Sequence, residues 1–129
     1  MTLADTRFSN RRRKLATAMA AERLDDFLVT HLIHVRYLSG FSGSNGAVLL
    51  SKDQSAAIST DGRYATQIAE EVPDITATIT SAITKDLLQK LEGPRRVGVE
   101  SDFVSIEQFK QMEKQCPEEV TLVPVSGMI

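Results

Sequence analysis

Apolar positions along this chain come in short blocks, and their period switches between the helical 3.6 and the strand value of 2. Residues 5–22 read as a first helix. At 100° per residue, Phe8, Leu15 and Met19 fall within roughly 40° of one another, a narrow inward stripe, with Asp5 or Thr6 at the N-cap. After a turn at Leu24-Asp25-Asp26, residues 26–30 (DFLVT) form a continuous apolar run, the pattern of a buried strand. Leu32, Ile33, Val35 and Leu38 then suggest one helical turn that Gly40 ends.

Two apolar runs, 47–51 and 56–60, flank the polar tip Lys52-Asp53-Gln54-Ser55 and predict a β-hairpin. Asp61 is placed to cap a helix reaching about Glu71, in which Tyr64, Ile68 and Val72 repeat at i, i+4 and i+8 until Pro73. Residues 75–80 alternate Ile75, Ala77 and Ile79 with threonines, as a half-buried strand does. A short helix at 85–91, a break at Gly93-Pro94 and a strand at 96–99 follow. Residues 105–116 read as a helix with Ile106, Phe109 and Met112 on one face, and Ser105 with Gln108 forms a capping-box pattern. Pro117 ends it, and residues 120–125 are the last strand. A hairpin followed by alternating strands and helices predicts an α/β fold: a mixed sheet of about five to six strands flanked by helices.

Composition narrows the class. At 129 residues the chain suits a single domain spanning 1–129, with 42% apolar and 25% charged residues and a net charge of −2. That charge provides no field toward nucleic acid or an anionic membrane. The single cysteine, Cys116, excludes an internal disulfide, which fits a reducing compartment. No long apolar run spans a bilayer, and no apolar stretch follows the basic residues of the N-terminus to make a secretory signal, so a cytoplasmic protein is expected. The chain stops just after a strand with apolar Met128 and Ile129, as expected of a piece cut from a longer protein, and exposed strand edges with this apolar end suggest self-association.

Candidate chemistry concentrates between Val29 and Tyr64. Gly40, Gly43 and Gly46 recur every third residue around FSGSNG, allowing positive φ and close backbone approach. The loop lacks the GxGxxG and GxxxxGK[ST] patterns and leads into a strand, so it reads as a structural turn and not a nucleotide cradle. Arg63, just after a Gly turn and beside Tyr64, is either a fork toward a carboxylate or a partner in a surface ion pair. The run Arg11–Lys14 fans around its helix and reads as a solvated face, with the Arg12 stem along the apolar edge. His31 and His34 are the only imidazoles, and no HExxH, CxxC or carboxylate cluster completes a metal site with them. No metal ligand and no catalytic residue is assigned in this chain.

RYLSGFSGSNG at 36–46 and DGRY at 61–64 together resemble the N-terminal domain of the creatinase/prolidase family, most closely its Xaa-Pro aminopeptidase and Xaa-Pro dipeptidase branches. The residues RRRKLATAMAAERLDDFLVT at 11–30 resemble that family too. Where many relatives carry Asp and Asn, this sequence has His31 and His34, each read as a satisfied or surface imidazole in preference to a proton-transfer group. The resemblance implies a ribonuclease-H-like creatinase N-terminal fold with no catalysis of its own. In a full-length member, a C-terminal pita-bread domain, absent from this chain, holds two divalent metal ions, Mn or Co, and hydrolyses the Xaa-Pro bond.

The resemblance implies that this domain contributes oligomer contacts and the rim of the substrate pocket. His34, Arg36, Tyr37, Phe41, Ser44, Asn45, Asp61, Arg63 and Tyr64 are the expected rim or subunit-interface residues. Expected partners are the protein's own catalytic domain, further copies in a homodimer or homotetramer, and a short proline-containing peptide. Two alternatives remain: a stand-alone peptide- or protein-binding module, and the N-terminal domain of a creatinase-type amidinohydrolase.

Overall fold

The computed structural model describes residues 5–129, and strand β1, Asp26–Val29, is its centre. All four residues of β1 are buried. Phe27 and Val29 join one core and Leu28 the other, so a continuous apolar run in sequence is a period-2 strand covered on both faces. The hairpin partners β2, Ala47–Ser51, and β3, Ala56–Thr60, lie to one side of β1 and run antiparallel. β4, Ala77–Ile79, adds parallel to β3. On the other side, β5, Arg95–Glu100, and β6, Val120–Val125, pair in parallel, which gives the order β4-β3-β2-β1-β5-β6. The mixed α/β architecture expected from the chain's patterning is therefore observed.

Helices cover both faces. The first core takes Leu15, Ala16 and Met19 of α1, Arg7–Ala21; Val35 and Leu38 of α2, Leu32–Ser39; and Ile68 of α3, Ala65–Glu71. These pack onto Phe27, Val48, Leu50 and Ile58 of the sheet. The second core joins Leu87 and Leu88 of α4, Ile83–Gln89, and Met112 of α5, Ile106–Gln115, to Leu28, Leu49, Val97, Val99 and Leu122. Each fully buried side chain of this size contributes about 1.5–3 kcal/mol.

Several local expectations change. α2 is eight residues long, two turns in place of one, and Gly40 ends it at φ 87° as expected. β4 covers only three residues, and Ile79 is 44% exposed because this is an edge strand with an open side. α4 begins two residues earlier than the pattern suggests. Ile106, expected to face inward with Phe109 and Met112, is 78% exposed: it is the first residue of α5 and lies outside the second core, which takes Val104 before it and Phe109 and Met112 after it. Met128 and Ile129, the apolar end of the sequence, pack partly buried against the first core.

Arg12 departs most from its reading as part of a solvated face. It is 6% exposed, donates to the Leu38 carbonyl at 2.8 Å, and pairs with the Asp74 carboxylate. It thereby ties α1 to the end of α2 and to the segment after α3. At the opposite end of the sheet, fully buried Asp26 accepts from Arg95 Nε at 2.5 Å, from its terminal nitrogen at 3.0 Å and from Ser51 Oγ at 2.6 Å.

Candidate functional site: a braced loop and turn

The glycine loop sits on an aromatic ring. Phe41 is 1% exposed and tucks beneath it, with the Tyr64 ring edge-on at 5.6 Å between centroids. Gly43 is required by this close approach, since a Cβ there would lie 2.2 Å from the Phe41 ring. Positive φ, allowed for by the glycine spacing, occurs within the motif only at Gly40. Phe41, expected with the rim or interface residues, forms the loop's floor, its ring held in the first core.

Polar groups brace the loop against the following turn. The Asp61 side chain accepts from the Arg63 backbone N–H at 3.0 Å, capping the single 3-10 turn Gly62–Tyr64 that leads into α3. The same carboxylate accepts both arms of the Arg63 guanidinium, at 2.9 and 2.8 Å, and the Asn45 amide at 2.9 Å. Thr60 Oγ1 donates to the Asn45 carbonyl at 2.6 Å, and Ser44 Oγ is hydrogen-bonded to Tyr64 Oη. The Arg63 side chain bonds, then that of Asn45, hold the Asp61 carboxyl well below its usual range, and Asp61 in turn raises Arg63. The two roles considered for Arg63 coincide: its guanidinium is a fork on a carboxylate, and that carboxylate is the one of Asp61, two residues away, in a surface ion pair.

A second brace was invisible in the spacing. Glu71 accepts from the Ser42 N–H at 3.0 Å and the Ser42 hydroxyl at 2.7 Å, while Gln67 donates to both residues. Burial pushes the Glu71 carboxyl up, but these donors outweigh it and hold it below the usual value. Ser42 and Glu71 stand 29 positions apart, and no local pattern links them.

The nine expected rim or interface residues separate into three places. Ser44, Asn45, Asp61, Arg63 and Tyr64 form the braced unit above Phe41, and Asn45 with Gly46 also lines a groove of about 790 Å³ beside His31, Phe103 and Gln111. Arg36 and Tyr37 lie with Ile33 on the outer face of α2, beside Phe8 of α1. There Arg11 donates to the Tyr37 carbonyl at 3.0 Å and stacks 4.2 Å from its ring centroid. His34 lies in a separate cleft, bonded to Glu100. Among the described residues no three His, Cys, Asp or Glu side chains converge to hold a metal ion.

The fold agrees with the comparisons. A family model described as Creatinase/Prolidase N-terminal domain matches residues 11–129. The chain belongs to that family. Its structure superposes at a TM-score of 0.93 on an N-terminal, creatinase/prolidase-like domain of a protein described as a metallopeptidase from Corynebacterium diphtheriae, at 52% identity over 96% of this chain and 100% of that one. The N-terminal domain of the cytoplasmic peptidase PepQ from Mycobacterium tuberculosis matches at 0.87, with 39% identity over 92% of this chain and 95% of that one. A protein from Tuber melanosporum described as an Xaa-Pro aminopeptidase P is 28% identical over 131 residues, covering 88% of this chain and 21% of that protein. The chain thus spans about a fifth of that curated relative. No helix of the described residues is long and apolar enough to cross a membrane.

Proposed function

We propose that this chain is the non-catalytic N-terminal domain of a metal-dependent, cytoplasmic Xaa-Pro aminopeptidase or dipeptidase. The family match over residues 11–129 carries this reading, together with the peptidase descriptions of the relatives. In this reading a C-terminal domain supplies the two divalent metals and the hydrolytic chemistry. The braced loop and turn then act as a preformed rim: Asn45, Asp61 and Arg63 hold one another, so the exposed surface is ordered before any peptide or neighbouring subunit arrives. A rigid rim suits a pocket that admits short peptides and excludes long ones. Arg36 and Tyr37, on the outer face of α2, are assigned to subunit contact in a homodimer or homotetramer.

The test compares the natural full-length protein with this 129-residue chain. With Mn²⁺, the full-length protein is expected to cleave short Xaa-Pro peptides, and the 129-residue chain is expected to leave them intact. In the full-length protein, Asp61→Ala should raise KM or change the peptide-length preference more than kcat. Cleavage by the 129-residue chain alone would overturn the non-catalytic assignment. An inactive full-length protein would overturn the peptidase assignment.

A further inference from the structure

A cleft on the other side of α2 joins an incompletely satisfied carboxylate to an aromatic wall. Glu100 ends β5 and is 7% exposed. Its Oε2 meets His34 Nδ1 at 2.5 Å, while its Oε1 is buried with no hydrogen-bond partner among the described residues. A buried acceptor without a donor is costly, so this oxygen is a place for an incoming donor. The His31 ring stacks on Phe103 at 3.8 Å and 5°, and meets His34 edge-on at 4.8 Å, which fixes the imidazole wall. Glu100, Asp102, Phe103, Val125 and Met128 are among the residues enclosing a space of about 240 Å³. Two carboxylates line it, and no lysine or arginine does.

This lining defines its ligand. Two acidic groups against apolar walls favour a cation over a neutral donor, since the attraction grows as water is excluded. One Glu100 oxygen is already held by His34, so a planar guanidinium fork has no free pair of oxygens to grip, whereas a compact ammonium needs one. The space is smaller than that of a drug-sized pocket and suits one slender stem. We propose that this cleft binds a primary ammonium group on a short unbranched carbon stem, the chemistry shared by a lysine side chain and a free alkylamine. Burial holds the Glu100 carboxyl above its usual range, only partly offset by His34, and a bound ammonium supplies the missing counter-charge. The inference stands apart from the peptidase reading and concerns a different face of α2.

The experiment titrates n-butylammonium chloride into the 129-residue chain at constant ionic strength, following backbone amide and Met methyl NMR signals. Saturable shifts are expected at His34, Phe103 and Met128, with a Kd on the order of 10 mM. Glu100→Gln should weaken binding about tenfold and Asp102→Asn, an exposed site, about threefold. Equal binding of Nα-acetyl-lysine methylamide identifies a lysine side chain in a peptide, and binding of n-butylammonium alone identifies a free amine; both support the site. Absence of saturation up to about 100 mM overturns it, as does equal binding of neutral n-butanol. Unchanged affinity in Asp102→Asn also overturns it, and that variant carries the test if Glu100→Gln does not fold.

Discussion

Glu100 and Arg12 show how much a single buried charge can decide. Burial raises the Glu100 carboxyl above its ordinary value of 4.5, with the His34 bond opposing the shift. Folding therefore favours the protonated form: the folded chain binds more protons than the unfolded one just above that value, and stability falls as pH rises through the raised folded pKa. The melting temperature of the wild type, taken relative to Glu100→Gln, should accordingly decline as pH rises above the ordinary carboxyl value and level off beyond the raised folded pKa. A difference independent of pH would show that Glu100 keeps an ordinary pKa. Arg12→Met should destabilise the fold by about 1–3 kcal/mol in urea, because it strands the Leu38 carbonyl and frees Asp74. Asp74→Asn should cost less, since the Asp74 side chain is 44% exposed and can rehydrate. Neither role was legible locally: Arg12 reads as one of four consecutive basic residues, and its partners stand 26 and 62 positions away.

At the scale of elements, local rules succeed where the interaction is itself local. The capping box of α5 is complete, with the Gln108 N–H donating to Ser105 Oγ at 3.0 Å and the Ser105 N–H to Gln108 Oε1 at 2.8 Å. Ser105→Ala should cost about 1 kcal/mol, read as a lower urea midpoint with an unchanged m-value. A cost near zero would mean that packing of Phe109 and Met112 alone holds the helix. The hairpin, the Asp61 cap and the Gly40 terminus were legible for the same reason: each is closed within a few residues. The face of α5 was not. Periodicity places Ile106 beside Phe109 and Met112, but only tertiary position says where the second core begins.

The whole molecule is a sheet sandwiched between two sets of helices, with β1 buried on both faces. Its edges differ: β6 carries Pro124, which has no N–H to offer a further strand, while β4 is only three residues long. Both features limit strand addition, and self-association of this chain is better sought at the exposed Ile33 and Tyr37 of α2. A metal-independent fold is expected at this scale. The melting temperature of the 129-residue chain should stay within about 1 °C when Mn²⁺ or EDTA is added, because a ligand that binds the native state would shift it. A clear rise with Mn²⁺ would reveal a donor set assembled elsewhere in the chain.

The sequence by itself determined the order of elements, the hairpin, the caps and, through the two motifs at 36–46 and 61–64, the family. Each of these depends on residues close in the chain or on a recognisable string. Tertiary structure alone decided that Phe41 is the floor of the loop, that Ser42 is held by Glu71, and that His34 meets Glu100 across 66 positions. The physical reason is shared: the partner of a polar group and the burial of an aromatic ring depend on which elements the sheet brings together, and chain spacing carries no record of that.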